Sequence, residues 1–124
     1  MAKIIECVPN ISEGRNHEVI EACVDTVRNT AGVTLLDYSS DASHNRSVIT
    51  FMGSPEGVMN AATALAKKAA ELIDLNHHQG EHPRMGAVDV IPLIPMKDVT
   101  KEETVEYSKQ LADRIWNEAG IPIF

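Results

Sequence analysis

VTLLDYSSDASHNRSVITFM, Val33 to Met52, is the stretch that decides the fold. Val33 to Tyr38 (VTLLDY) is short and rich in aliphatic and β-branched residues, and it reads as a strand. Ser47 to Met52 (SVITFM) alternates apolar and polar side chains and reads as another. Ser39 to Asn45 (SSDASHN) between them is polar and reads as a loop. No helical periodicity separates the two strands, so they follow each other directly. Working outward on the N-terminal side, Ile20, Cys23, Val24 and Val27 recur at helical spacing, with Asn16 as a possible cap and Gly32 as the stop. Before that helix, Lys3 to Val8 (KIIECV) reads as a first strand that stops at Pro9, and Asn10 to Arg15 (NISEGR) as a polar turn. On the C-terminal side, Ser54-Pro55-Glu56 is a helix start, with an N-cap hydroxyl, proline at the first helical position and an acid in the first turn. Val58, Ala62, Leu65, Ala69, Leu72 and Ile73 form that helix's apolar stripe. Ala87 to Ile94 (AVDVIPLI) reads as a fourth strand, with Pro92 implying an edge position or an early end. Thr100 and Glu103 fit a capping box, and Val105, Ser108, Leu111, Ile115 and Ala119 are predicted to line the inner face of a last helix closed by Gly120.

The element order is β-α-β-β-α-β followed by α. The first six elements match the split β-α-β, ferredoxin-like arrangement, an α+β sandwich with an antiparallel sheet and two helices on one face. The last helix is an addition. Residues 1–124 are read as one domain. Ile121 to Phe124 (IPIF) look like the opening of a further strand.

A chain of 124 residues has room for one core without disulfides or metal. Its apolar fraction of 44% and charged fraction of 23% exclude a disordered chain. With aromatic content at 4%, aliphatic side chains must fill the core. The net charge of −7 opposes binding to phosphate backbones, so nucleic acid is not expected as a partner. An anionic small molecule would need a local basic cluster. Cys7 and Cys23 sit in apolar-periodic segments, outside any C-x-x-C pair, and are read as reduced core thiols of a cytoplasmic protein. No apolar run is long enough to span a membrane, and Met1 to Asn10 reads as a strand-like start rather than a signal peptide.

Packing does not explain His77 to Gly86 (HHQGEHPRMG). It holds three of the five histidines together with Glu81 and Arg84, between Gly80 and Gly86, which permit close approach of backbone to a ligand. Pro83 holds His82 extended, presenting an imidazole suited to proton exchange near neutral pH. Arg84 suits a carboxylate. Alternatives are a solvated loop whose histidines bond only backbone, or a metal site, since His78 and His82 are spaced i, i+4. Gly80 and Pro83 disfavour a helix there, the order is not H-E-x-x-H and no cysteine is close, so no metal is expected. A second polar cluster contains Asn10, Ser12, Glu13, Gly14 and Arg15, able to cradle an anion or to form an ordinary turn. A third, Asp37 to Arg46, holds Asp37, Asp41, His44 and Arg46, with a solvated loop as its plain alternative. In the ferredoxin-like topology, strands one and three are central neighbours, which offers a way to bring the clusters together.

Three segments carry a family resemblance: ECVPNISEGRN (Glu6 to Asn16), NRSVITFMGSPE (Asn45 to Glu56) and GEHPRMGAVDVIPLIP (Gly80 to Pro95). They resemble the N-terminal subdomain of glutamate formimidoyltransferase, the transferase portion of formimidoyltransferase-cyclodeaminase. The resemblance runs over essentially the whole chain. It implies passage of a formimidoyl group between N-formimidoyl-L-glutamate and tetrahydrofolate, in histidine breakdown and one-carbon metabolism, with tetrahydrofolate as a substrate. The family's catalytic histidine falls on His82, as acid and base. Arg84 and Arg15 are candidates, by charge, for substrate carboxylates. The family often has Asp-x-Asp after strand two. Here Asp37 is kept, Ser39 replaces the second acid, Asp41 follows two positions on, and His44 stands where a small residue is common. These departures imply a slower enzyme, use of Asp41 in place of the second acid, or a different acceptor. The family also has a second subdomain, with folate in the groove between the two. The alternatives to an enzyme are a stand-alone folate- or carboxylate-binding module without turnover, and an interaction protein that keeps only the fold. An unpaired sheet edge implies a homodimer.

Overall fold

The structure, a computed structural model, describes residues 3–11, 17–41, 43, 46–76 and 91–119. Its elements are β1 (Ile4–Cys7), β2 (Asn10–Ile11), α1 (His17–Arg28), β3 (Val33–Asp41), β4 (Arg46–Gly53), α2 (Pro55–Asn76), β5 (Leu93–Lys97) and α3 (Lys101–Ala119). Strand β4 is the hub of the sheet. It pairs with β3 along one edge and with β1 and then β2 along the other, and β5 closes the far side of β1. All pairings are antiparallel. The spatial order β3, β4, β1, β5 is the ferredoxin-like order expected from the element string, with the predicted strands one and three adjacent.

Strands β1 and β2 form one line broken by Val8-Pro9. Pro9 has no N–H to give the ladder, yet its carbonyl accepts from Ile49 N at 3.1 Å, so pairing resumes at once. Asn10 and Ile11 are therefore strand, not turn. The strand keeps its alternation through the break: Ile5, Cys7, Pro9 and Ile11 are buried, and Ile4, Glu6, Val8 and Asn10 are half-buried on the other face. Three further boundaries differ from the sequence reading. Strand β3 continues through Ser39, Ser40 and Asp41, because the ladder to Val48, Ser47 and Arg46 overrides their weak strand preference. Strand β5 begins after Pro92 and runs to Lys97, so the proline precedes the described strand rather than ending it. In α3 the inner row is Thr104, Leu111, Ile115 and Ala119; Val105 is 49% exposed. Thr104 Oγ1 donates to Thr100 O at 2.9 Å, so a buried hydroxyl takes the position read for valine.

The core lies between the sheet and the helices. Ile5, Cys7, Ile11, Ile49 and Phe51 point from the sheet into side chains of all three helices. Helix α2 lies against β1 and β4 and packs between α1 and α3. Its buried positions include Ala61, Ala62, Ala66, Ala69 and Ala70, small enough to let neighbouring helices approach. Phe51 is the largest fully buried side chain, and apart from it and the two cysteines the described apolar core is aliphatic, as the low aromatic content required. Cys7 and Cys23 are buried and not joined in a disulfide, and burial pushes the Cys7 thiol far above its ordinary range. No helix of the described residues is long and apolar enough to cross a membrane.

The caps predicted at Ser54 and at Thr100 are present. Gly57 N donates to Ser54 Oγ at 3.1 Å. At α3, Glu103 N donates to Thr100 Oγ1 at 3.0 Å and Thr100 N donates to Glu103 Oε1 at 2.9 Å, a reciprocal capping box. Glu103 also pairs with Lys3, tying α3 to the start of β1. On the opposite side, Tyr38 Oη donates to Glu21 Oε2 at 2.6 Å and Arg28 stacks on the Tyr38 ring at 5.6 Å, fixing α1 to β3. The Tyr38 hydroxyl and Arg28 hold the Glu21 carboxyl below its usual range.

Gly32 has φ +82°, a left-handed conformation that turns the chain from α1 into β3. Gly53 faces it: a Cβ there would lie 2.1 Å from the Gly32 carbonyl oxygen. Because that oxygen is backbone, Gly53→Ala must displace the start of β3. It is expected to cost about 1–3 kcal/mol, measured by urea denaturation.

Candidate functional site

One end of the sheet gathers residues that flank the segments read as functional. Ile11, the last residue of β2, is in register with Ser47, and Asp41 with Arg46, so the exit toward α1 and the β3–β4 connection leave side by side. Strand β5 starts at the same end: Leu93 is opposite Cys7, and Val8 N donates to Pro92 O at 3.3 Å. Strands β4 and β5 both run antiparallel to β1, so α2 carries the chain back to that end before β5 begins. The sequence segments 12–16, 42–45 and 77–90 therefore all have flanking residues there.

Of the sequence-predicted residues, the structure brings together Asn10, Asp41 and Arg46. With Ser39, Ser40 and Val48 they line a cavity of about 260 Å³. Val48 is opposite Asn10 on one side and Ser39 on the other, so one cross-strand row spans three strands. Asn10 donates through Nδ2 toward Val8 O at 3.5 Å. Asp41 Oδ1 accepts from Ser43 N at 2.9 Å and turns the connection. Asp37 is exposed two pairs along from Ser39, opposite Thr50 and next to a bulge whose extra residue is Leu36. It does not line the cavity. Asp37, Ser39 and Asp41 alternate along the strand, so they share one face at steps of about 7 Å. Asp41 thus stands one step beyond the position held by Ser39. Ser12, Glu13, Gly14, Arg15, His44, Gly80, Glu81, His82, Arg84 and Gly86 lie outside the described residues. So do His77, His78, the cap at Asn16, the Ala87–Val90 part of the predicted fourth strand, Gly120 and the final IPIF.

Sequence reasoning missed the sheet face itself. The three helices share the core on one side, and among the described residues no element covers the other. That open face carries the half-buried row Ile4, Glu6, Val8 and Asn10, with Val48, Thr50 and Met52 beside it on β4. Ile94, opposite Glu6 on β5, is 39% exposed. The face is polar at the Asn10–Arg46 end and apolar toward Met52 and Ile94. The strict alternation of β1 and β4 was the available signal: half of each strand had to face away from the helices. Such a surface can hold a flat, partly apolar ligand with a polar end.

Comparison with known proteins identifies the chain's relatives. Residues 4–124 match the formiminotransferase domain, N-terminal subdomain. The chain is 60% identical over 124 residues to glutamate formimidoyltransferase of Streptococcus pyogenes serotype M1, covering all of this chain and 42% of that protein. It is 51% identical over 124 residues to formimidoyltransferase-cyclodeaminase of Dictyostelium discoideum, covering all of this chain and 23% of that protein. Glutamate formimidoyltransferase of Thermoplasma acidophilum is 44% identical over 121 residues, 98% of this chain and 40% of that protein. The chain thus spans less than half the length of these relatives. With its ferredoxin-like sheet and whole-length match, the chain belongs to the formiminotransferase N-terminal subdomain family.

Proposed function

We propose that this chain provides one wall of a formimidoyl-transfer site that moves the formimidoyl group of N-formimidoyl-L-glutamate to tetrahydrofolate, in histidine breakdown. The observation that carries this reading is the convergence, at one sheet end, of residues flanking all three polar segments, beside an open face of graded polarity. Similarity to proteins named glutamate formimidoyltransferase supports the reaction class.

The chemistry needs one proton carrier. A tetrahydrofolate nitrogen attacks the formimidoyl carbon and must lose its proton as the new C–N bond forms. The C–N bond to glutamate then breaks, and the departing nitrogen must gain a proton. His82 serves as base in the first step and acid in the second, so the proton is passed on and none is consumed. Arg84 and Arg15 hold substrate carboxylates, with Asn10, Asp41 and Arg46 at the polar end of the sheet. The Asp37, Ser39, Asp41 row bears on how the imidazole is oriented: with Ser39 at the middle position, Asp41 is the acid nearest the cavity.

The test is direct. The chain is mixed with N-formimidoyl-L-glutamate and tetrahydrofolate, and 5-formimidoyltetrahydrofolate is followed. Product formation above the uncatalysed rate is expected. Tetrahydrofolate binding without product would instead make the chain a folate-binding module, and failure to bind folate would remove both readings.

A further inference from the structure

Glu6 is a carboxylate in an apolar setting. It lies midway along the central strand on the open face, opposite Met52 on β4 and Ile94 on β5. Ile4 and Val8 are the next residues of the same row. Glu6 is half-buried, and among the described residues no hydrogen bond or ion pair reaches its carboxylate. Glutamate is disfavoured in strands, and its immediate neighbours on this face offer it no donor. Water satisfies it while the face is open. Anything flat that covers the face removes that water and leaves a costly unpaired charge unless it brings N–H donors of its own.

We propose that Glu6 recognises the ring of the folate, its two oxygens accepting the adjacent ring N–H and exocyclic amino group of the pteridine; this rests on the folate reading above. The geometry matches. Two neighbouring N–H donors on a planar ring fit the two acceptor oxygens of one carboxylate. Met52 and Ile94 supply apolar flanks for the ring itself. Asn10 stands four residues along the same line, about 13 Å away at strand spacing. The ligand's benzoyl-glutamate end therefore extends toward the polar cavity of Asn10, Ser39 and Arg46. The opposite orientation would set the ligand's carboxylates against Glu6.

The proposal separates two ligands. Tetrahydrofolate carries the ring donors, whereas p-aminobenzoyl-L-glutamate keeps the tail and lacks the ring. Both are titrated calorimetrically against the full chain and against Glu6→Gln. The variant is expected to bind tetrahydrofolate about ten- to a hundredfold more weakly, with its affinity for p-aminobenzoyl-L-glutamate unchanged. Glu6→Asp, which keeps the charge but withdraws it by one methylene, should show the same pattern in weaker form. Glu6 lies outside the core, so matching thermal transitions are expected for wild type and variants. Unchanged tetrahydrofolate affinity, or equal loss for both ligands, would overturn the role of Glu6 and leave the folate reading intact. Failure of the unsubstituted chain to bind tetrahydrofolate would overturn both.

Discussion

Replacing Phe51 with alanine is expected to destabilise the fold by about 3–5 kcal/mol, the largest stability loss among these predictions. Phe51 is fully buried on β4, in register with Cys7 on β1 and Leu35 on β3. It therefore fills the centre of the sheet's inner face with paired strands on both sides. Those strands are held by their ladders and cannot close over a lost ring. The helix above offers little to fill the gap, because α2 packs largely through alanine. Against a total stability of about 5–15 kcal/mol for an ordinary domain, such a loss brings unfolding close to ambient conditions. Urea denaturation measures it. A loss under about 1 kcal/mol would show that the core can collapse around the site, contrary to this packing.

His82→Ala is expected to lower kcat for formimidoyl transfer by about 10²- to 10⁴-fold, the contribution of a positioned acid–base group. Tetrahydrofolate binding should be largely retained, since the imidazole acts on the transferring proton rather than on the ring. The pH profile gives the sign. The base must be neutral to accept the attacking nitrogen's proton, so wild-type kcat/KM should fall as acid protonates the imidazole, and the variant should lose that limb. Added free imidazole should restore part of the rate. Equal activity of the variant would remove His82 from the mechanism.

The two predictions draw on different levels of information. The proposed role of His82 comes from the sequence, because HHQGEHPRMG has no hydrophobic face and the family resemblance carries a catalytic histidine onto that position. The role of Phe51 comes from strand register, which no single segment contains. The same division explains the boundaries. Ser39 to Asp41 read as loop because serine and aspartate have weak strand preference, yet their partners on β4 extend the ladder to Arg46. Val105 read as core and is exposed, because helical spacing permits two adjacent rows and the packing of α3 on α2 and β5 leaves Thr104 buried instead. The Ser54 cap and the Thr100–Glu103 box were legible, being local hydrogen bonds between residues three apart.

Sequence by itself determined the fold class, because the absence of a helix between Val33 and Met52 forces consecutive antiparallel strands, and a split β-α-β sheet follows from the helices on either side. It also determined the family, through motifs spread along the chain. Only the tertiary structure decided which residues meet. Asn10, Ser39, Asp41 and Arg46 come from separated segments and share a cavity because β4 pairs on both sides. Glu6, an ordinary polar interruption in KIIECV, gains significance only when all three helices occupy one side of the sheet and leave its carboxylate on the other. Side-chain alternation is a local property, but which of the two faces is covered depends on packing between distant elements.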